Sequence, residues 1–192
     1  MVQQLKAEER EHIKVNPWDV VMTPNHIAKH IVAMFNPKGK ILEPCKGNGV
    51  FLKYLPKNTE WCEIREGKDF FDYHKKVDWI ITNPPYSNFD NFLQHSFEIA
   101  DNVVFLCPIG KIFHTWKRLR QVRKYGGVKF IYFIPARRCG FCFGYPLGVF
   151  HFKRGYNGTT RLEFDSDIHI GIGKNQQKLF SLVNQNIASA EQ

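Results

Sequence analysis

The sequence has no apolar run that approaches the roughly 20 residues needed to cross a lipid bilayer. Its first residues, 1–14, are polar and charged, so they resemble neither a secretion signal nor a membrane anchor. Internal repeats and low-complexity tracts are missing as well. We therefore expect a soluble, cytoplasmic protein.

The sequence also lacks a cysteine framework. Its five cysteines are odd in number and follow no secretion signal, which argues against a set of disulfide bonds. Cys139 and Cys142 form one CxxC pair and His151 offers a third ligand, but a zinc site needs about four. The pair does not open a helix after a strand, as a redox-active CxxC does. The sequence predicts no metal site.

Acidic residues are scarce relative to basic ones. The chain has 18 Asp and Glu against 27 Lys and Arg, a formal net charge of +9. Such an excess favours polyanionic partners such as nucleic acid, although a merely basic, solvated surface has the same composition. The 192 residues, 43% of them hydrophobic, suit one folded domain.

Short apolar segments alternate with helical patterns along the chain. Strands are predicted at 41–43, 61–64, 77–82, 103–107, 130–134 and 147–152. Helices are predicted at 23–35, where Pro24 suits the first position, and at 50–55, 92–100 and 112–125. Such an alternation indicates an α/β fold with a doubly wound, mostly parallel sheet, which here ends in an antiparallel hairpin. Ligands of these sheets bind beyond the carboxyl ends of the strands.

Three segments are predicted along the chain. Residues 1–16 form a polar arm, 17–155 form the α/β domain, and 156–192 form a polar extension. Within that extension, short strands are predicted at 161–164 and 167–170 and a helix at 176–183. We expect the chemistry to lie in the central segment.

A glycine-rich loop, Glu43-Pro44-Cys45-Lys46-Gly47-Asn48-Gly49, follows the first predicted strand. Its glycines let the backbone approach a ligand without a Cβ clash. Glu63 ends the next strand, a spacing that suits a carboxylate gripping two ribose hydroxyls. In Asp69-Phe70, the acid can accept a hydrogen bond from an adenine amine while the ring covers the base. A tight turn is the alternative interpretation of the loop, and the Gly-Lys-Ser/Thr ending of a phosphate-binding loop is absent.

The tetrapeptide Asn83-Pro84-Pro85-Tyr86 ends the predicted strand 77–82. Its two prolines stiffen the backbone and remove two N–H donors, so nearby carbonyls are free to accept hydrogen bonds from a ligand. The side-chain oxygen of Asn83 is a further acceptor, and two acceptors can hold both hydrogens of one NH2 group. Tyr86 offers a flat ring for stacking on a base. A proline-stiffened loop around a buried asparagine is the alternative interpretation.

In this order, the motifs resemble those of S-adenosylmethionine-dependent N6-adenine DNA methyltransferases, which carry an NPPY-type tetrapeptide. The similar motifs are Thr23-Pro24 before a helix, the loop 43–49, Glu63, Asp69-Phe70 and the tetrapeptide 83–86. The resemblance covers about residues 18–107, and the general fold extends it to about 152. This chain departs from many relatives in having Glu43 instead of Asp, and Cys45-Lys46 instead of small residues. The resemblance implies a seven-stranded, Rossmann-like methyltransferase sheet.

The resemblance also implies roles for the matching residues. Thr23 and Pro24 would line the methionine end of S-adenosylmethionine, and Glu43 would lie near its amino group. Glu63 would hold the ribose hydroxyls, and Asp69 the adenine amine. The implied cofactor-binding residues are Thr23, Pro24, Glu43, Cys45, Gly47, Asn48, Gly49, Glu63, Asp69, Phe70 and Asn83. The implied catalytic residues are Asn83, Pro84, Pro85 and Tyr86. They would hold a target base that is flipped out of the duplex or single-stranded.

Two segments carry the predicted contacts to nucleic acid. The stretch 111–124 has no acid and six basic residues, which suit phosphate contacts or, alternatively, a solvated helix face: Lys111, Lys117, Arg118, Arg120, Arg123 and Lys124. The loop 136–145 mixes Arg137 and Arg138 with Phe141, Phe143 and Tyr145, as single-strand or flipped-base sites do.

Several functions remain open at this point. Methylation of adenine N6 in DNA is the leading hypothesis, and RNA is an alternative substrate with the same chemistry. Methylation of a glutamine side-chain amide in a protein is another, because related enzymes use the same tetrapeptide. A non-catalytic binding module is a third, although the intact tetrapeptide argues against it. A large recognition domain, usual in restriction-type enzymes, is missing, so we expect a specificity subunit or a second copy of the chain to supply recognition.

Overall fold

The computed structural model describes residues 21–165. The predicted polar arm 1–16, the strand at 167–170 and the helix at 176–183 lie outside this range. None of the helices between residues 21 and 165 combines the length and the apolar character that crossing a bilayer requires.

A seven-stranded mixed sheet forms the centre of the structure. Its strands are β1 (Ile41–Glu43), β2 (Glu60–Trp61), β3 (Val77–Thr82), β4 (Ala100–Pro108), β5 (Gly126–Ile134), β6 (Leu147–Arg154) and β7 (Arg161–Phe164). Their order across the sheet is β2-β1-β3-β4-β6-β5-β7. The first four are mutually parallel, and β6 runs antiparallel to both β4 and β5. The predicted fold class is confirmed. The edge strand β7 pairs in parallel with β5 and thus extends the sheet beyond residue 155.

Helices cover both faces of the sheet. They are α1 (Asn25–Phe35), α2 (Phe89–Ile99), α3 (Ile109–Phe113) and α4 (Trp116–Tyr125). On β3, Ile80 belongs to one apolar cluster and Ile81 to the other, because alternate side chains of a strand point to opposite faces. The α1 helix packs into the cluster that contains Ile81, whereas α2 to α4 pack into the one that contains Ile80. The sheet is therefore buried on both faces, as a doubly wound fold requires.

Two predicted helices differ from the structure. Residues 50–55 form turns rather than a helix, since Pro56 ends the segment after one turn, which is held by the bond from Leu55 N–H to Phe51 O (3.0 Å). The predicted helix 112–125 is divided into α3 and α4. The division lies at Thr115, whose backbone is extended and whose hydroxyl accepts a hydrogen bond from the Arg118 N–H (3.3 Å), so that it caps α4. Pro24 precedes α1 as its cap residue.

The carboxyl ends of the strands bring the predicted motifs to one edge of the sheet. Thr82, at the end of β3, pairs with Phe105 of β4, and Pro108 at the end of β4 pairs with Leu147. Leu147 also pairs with Ile134, the last residue of β5. The glycine-rich loop, the tetrapeptide, α3 and the loop 135–146 therefore all leave the sheet at this edge.

Candidate cofactor and target-amine site

The glycine-rich loop is held by backbone hydrogen bonds within itself and to the residue that follows β2. The Lys46 N–H donates to Cys62 O (3.0 Å), and the Gly49 N–H donates to Lys46 O (2.8 Å). Gly47 and Gly49 have positive φ values of 53° and 76°, which residues with side chains rarely adopt. Among the described residues, no heavy atom lies within 4 Å of where a Cβ of Gly49 would be. The loop thus has open space beside it.

Glu43 is fully buried at the base of this loop. Its Oε1 accepts a hydrogen bond from the Cys45 N–H (3.0 Å), whereas its Oε2 has no partner of ordinary geometry among residues 21–165. Burial raises the pKa of Glu43 to about 8, although the Thr82 side chain and the Cys45 N–H oppose this shift. The carboxyl group therefore carries its proton at neutral pH until a cation or a donor comes close to it.

Glu63 is also buried but stays ionised. Its Oε2 accepts from the Gly47 N–H (2.8 Å), and its Oε1 accepts from the Arg65 Nε (2.9 Å) and the Arg65 N–H (3.2 Å). Burial raises the pKa of Glu63, but these hydrogen bonds together outweigh it and hold the pKa below its usual range. Glu63 therefore fixes the position of the glycine-rich loop and offers a carboxylate beside it.

A cavity of about 390 Å³ lies between the glycine-rich loop and Glu63. It is lined by Met22, Gly47, Asn48, Glu63, Arg65 and Glu66. A volume of this size suits a nucleoside-sized ligand. Met22 and Arg65 were not predicted from the sequence. Arg65 has no sequence signal of its own, because its role comes from the ion pair with Glu63.

The pair Asp69-Phe70 lies differently from the prediction. Asp69 lines a neighbouring cavity of about 490 Å³, which shares no lining residue with the cavity beside Glu63. Phe70 is 2% exposed and stacks on Phe92, with ring centroids 4.9 Å apart. We expected its ring to cover a bound adenine. The ring packs in the core instead, because it is buried against α2.

The side chain of Asn83 links the tetrapeptide to the segment before α1. Its Nδ2 donates to Val21 O (3.0 Å) and to Thr23 Oγ1 (3.2 Å). Its Oδ1 is buried and, within residues 21–165, accepts no hydrogen bond. Burying an acceptor without a hydrogen bond costs free energy, so a ligand that donates to this oxygen would recover that cost. The structure thus joins Thr23 and Asn83, two residues sixty positions apart that the sequence assigned to one site.

The rest of the tetrapeptide is held from the side of α3. Pro84 is buried, whereas Pro85 and Tyr86 are half-buried. The Lys111 Nζ donates a hydrogen bond to the backbone oxygen of Tyr86 (2.8 Å). Lys111 was predicted to contact phosphate, but its ammonium group instead faces the tetrapeptide.

The predicted phosphate-binding residues of α4 divide into two groups. Lys117, Arg120, Arg123 and Lys124 are exposed. Arg118 points inward: its side chain is 12% exposed, it forms an ion pair with Asp90 of α2, and its NH1 donates to Lys111 O (2.6 Å). The prediction that Arg118 contacts phosphate is therefore wrong, because its guanidinium group already joins α2, α3 and α4.

The loop 135–146 carries its cations outward. Arg137 and Arg138 are exposed, and the rings of Phe143 and Tyr145 stack 4.1 Å apart at an angle of 6°. A Cβ on Gly140 would lie 3.6 Å from Pro24, so this loop lies against the start of α1. Phe141, by contrast, is buried in the core.

Several solved structures that resemble this one are described as methyltransferases. A protein of Listeria monocytogenes, described as a class I S-adenosylmethionine-dependent methyltransferase, has a TM-score of 0.58 at 14% identity, over 86% of this chain and 72% of its own. The methyltransferase subunit of a type I restriction-modification system from Streptococcus thermophilus has a TM-score of 0.56 at 15% identity, over 74% and 47%. The M protein of the type I restriction enzyme EcoKI has a TM-score of 0.53 at 16% identity, over 76% and 46%.

The chain has the fold of S-adenosylmethionine-dependent methyltransferases. This confirms the predicted resemblance at the level of the fold. The chain spans less than half the length of the two restriction-system proteins. No protein-family model matches the sequence, and no curated protein matches it either.

Proposed function

We propose that the chain transfers a methyl group from S-adenosylmethionine to the exocyclic N6 amine of adenine in DNA, with the target base flipped out or single-stranded. The observation that carries this proposal is the Asn83 side chain. Its Nδ2 is occupied by Val21 and Thr23, while its buried Oδ1 lacks a donor from the described residues. An amine N–H is a donor of the kind that this oxygen needs.

The residues around the glycine-rich loop fit the cofactor. Glu63 would accept hydrogen bonds from the ribose hydroxyls, and Thr23 and Pro24 would line the methionine end. Glu43 would face the cationic amino group, either directly or through water. Its raised pKa supports this role, because a nearby cation stabilises the ionised form that burial disfavours. Asp69 is proposed to bind the adenine amine from the wall of the neighbouring cavity.

The tetrapeptide would position and activate the target amine. The N6 lone pair is delocalised into the adenine ring, so the amine is a weak nucleophile. Asn83 Oδ1 and the Pro84 carbonyl would each accept a hydrogen bond from one N–H of the target amine. These bonds favour a pyramidal nitrogen and stabilise the positive charge that develops on it. Tyr86 would stack on the base. The cofactor supplies an electrophilic methyl group, and alignment with the amine contributes much of the rate. The amine proton leaves to water.

Exposed cations support a nucleic acid as the substrate. Four of them lie on α4, at Lys117, Arg120, Arg123 and Lys124, and two lie on the loop 135–146, at Arg137 and Arg138. The loop 135–146 and the start of α4 lie near the edge of the sheet from which the tetrapeptide leaves, whereas Arg123 and Lys124 precede β5 and lie toward the opposite edge. The chain has a net charge of +9. Residues 21–165 form a single sheet with no separate recognition domain. We therefore propose that sequence specificity comes from a partner subunit or from a second copy of the chain.

The experiment that tests this function offers DNA, RNA and protein side by side with methyl-labelled S-adenosylmethionine, followed by nucleoside mass spectrometry. We expect N6-methyladenine in DNA. Asn83→Ala should lower the rate at least about 100-fold, as loss of one group aimed at transition-state charge does. Its affinity for the cofactor should change only a few-fold. Asn58→Ala is the matched control, because Asn58 is exposed before β2, at the opposite edge of the sheet.

Each other outcome revises a stated part of the proposal. Label in RNA alone would keep the amine chemistry and overturn the choice of DNA. Label in protein alone would overturn the role of the basic surface. An Asn83→Ala variant as active as the wild type would overturn the site itself.

A further inference from the structure

A group of exposed aromatic and basic residues lies where α3 meets α4. Phe113, the last residue of α3, is 50% exposed, and Trp116, the first residue of α4, is 74% exposed. Lys117 and Arg120 are exposed on the same helix. We call these four residues the α3–α4 surface. Neither aromatic residue belongs to one of the sequence motifs.

This surface lies beside the tetrapeptide. The α3 helix begins directly after β4 at the carboxyl edge of the sheet, and its Lys111 Nζ binds the backbone oxygen of Tyr86 (2.8 Å). The Ile109 N–H donates to Pro146 O (3.3 Å), which brings the loop with the stacked Phe143 and Tyr145 rings next to the start of α3. The surface therefore continues from the proposed target-amine site.

Trp116 contributes little to the fold. The buried residues of α4 are Val122 and Tyr125, and the inward contacts of its first turn come from Arg118. Thr115 caps α4 and thereby fixes where the helix starts, which holds the indole at a defined place on the surface. Arg120 lies four positions after Trp116 and three after Lys117, so it neighbours both on the helix. An indole presented in this way has its ring available to a partner.

We propose that the α3–α4 surface binds an unpaired nucleic-acid strand next to the target base, with Trp116 stacked on a neighbouring base and Lys117 and Arg120 on the phosphates. This inference rests on the proposed function and specifies its substrate as a locally single-stranded one. Aromatic rings stack on bases that are not already stacked in a duplex, whereas cations alone bind duplex phosphates equally well. The aromatic residues therefore favour the unpaired strand.

The test measures fluorescence anisotropy of a short labelled oligonucleotide with one adenine, alone and annealed to its complement. We expect the wild-type protein to bind the single strand more tightly than the duplex. Trp116→Ala should weaken single-strand binding about tenfold, which is within the range for loss of one base–aromatic stack, and should change duplex binding less than twofold. Trp116→Phe should retain most of the affinity.

Two control variants check the location of the effect. Phe164→Ala removes another exposed aromatic ring, 65% exposed on the edge strand β7, and Lys57→Ala removes an exposed cation before β2. Neither should change binding of the strand. The Trp116 and Lys57 variants should unfold at the wild-type temperature, and all variants should bind S-adenosylmethionine as the wild type does.

The outcomes separate this inference from the proposed function. Equal binding of the single strand by the wild type and Trp116→Ala would overturn the inference, whether or not methyl transfer occurs. Equal losses for single strand and duplex would also overturn it. If the strand binds through Trp116 but receives no methyl group, the surface stands and the proposed activity fails.

Discussion

Two regions that meet at the carboxyl edge of the sheet, one with acidic and one with basic side chains, are built in different ways. Beside the glycine-rich loop, Glu43 and Glu63 are buried and receive hydrogen bonds from backbone N–H groups. Around α4 the cations are exposed, and only Arg118 is held inside. A pocket for a small molecule needs charges fixed in place, whereas a surface for a polymer needs cations open to phosphates. The difference shows that charge alone identifies neither region; burial and hydrogen bonding do.

The largest effect expected on the acidic side comes from Glu43→Gln. The unfolded chain ionises this group near pH 4.5, whereas the folded chain keeps the proton up to about pH 8. Between these values only the unfolded state releases the proton, so rising pH destabilises the wild-type fold. At pH 7 this effect lowers the free energy of unfolding of the wild type by about 3 kcal/mol, and the Gln variant does not show this loss. Urea denaturation at pH 4.5 and pH 7 should show the variant gaining in relative stability.

The same variant should lose affinity for S-adenosylmethionine, because a neutral amide does not pair with a cationic amino group. Binding to the wild type at pH 6.5 should release a proton, which calorimetry in buffers of different ionisation enthalpy detects. A stability difference that stays constant between the two pH values would show that Glu43 is ionised in the free protein. Glu98→Gln, at an exposed carboxylate of α2 away from the glycine-rich loop, is the control.

Much of the acidic side could be predicted from the sequence. Glu43, Gly47 and Asn83 stand at strand ends, and the carboxyl edge of a parallel sheet brings strand ends together. The position of Phe70 could not be predicted, since the same dipeptide suits a base-covering ring or a core ring. Its burial depends on Phe92, which belongs to α2, twenty-two positions later.

Less of the basic side could be predicted. Helical spacing placed six cations in one segment, but the segment breaks at Thr115, and this changes which residues point inward. Arg118 and Lys111 found partners in Asp90 and Tyr86, contacts across helices that composition does not encode. Exposed Trp116 had no periodic signal either, because a surface role leaves no apolar pattern.

The second prediction concerns the inward cation of the basic side. Asp90→Ala removes the partner of Arg118 and leaves a guanidinium group that is 12% exposed without its carboxylate. We expect the free energy of unfolding to fall by about 2 kcal/mol, less than for a fully buried pair because Asp90 is 40% exposed. Urea denaturation at neutral pH measures it.

Lys117→Ala provides the comparison within the same helix. Because Lys117 is exposed, its removal should change stability by less than about 0.5 kcal/mol.

Arg118 bonds the Asp90 carboxylate and thereby lowers the pKa of that group. The contribution of the pair to stability is therefore present above the ordinary pKa of an aspartate and is lost as the pH falls through the lowered value. Equal stabilities of the two variants would mean that Arg118 is no more structural than the exposed cations.

The smallest effect is expected at Lys111, where the two regions meet. Lys111→Met keeps the length of the side chain but removes the donor to Tyr86 O, so the tetrapeptide loses one of its supports. We expect kcat to fall about tenfold, as small errors in alignment of reacting groups do. The affinity for S-adenosylmethionine should stay within twofold, because the glycine-rich loop is held by Cys62 and Glu63 instead. Lys111→Arg, which keeps a donor, should recover part of the rate. If Lys111→Met lowered nucleic-acid affinity as much as Lys117→Ala does, Lys111 would be a phosphate-binding residue. An unchanged kcat would show that the contact with Tyr86 does not position the tetrapeptide.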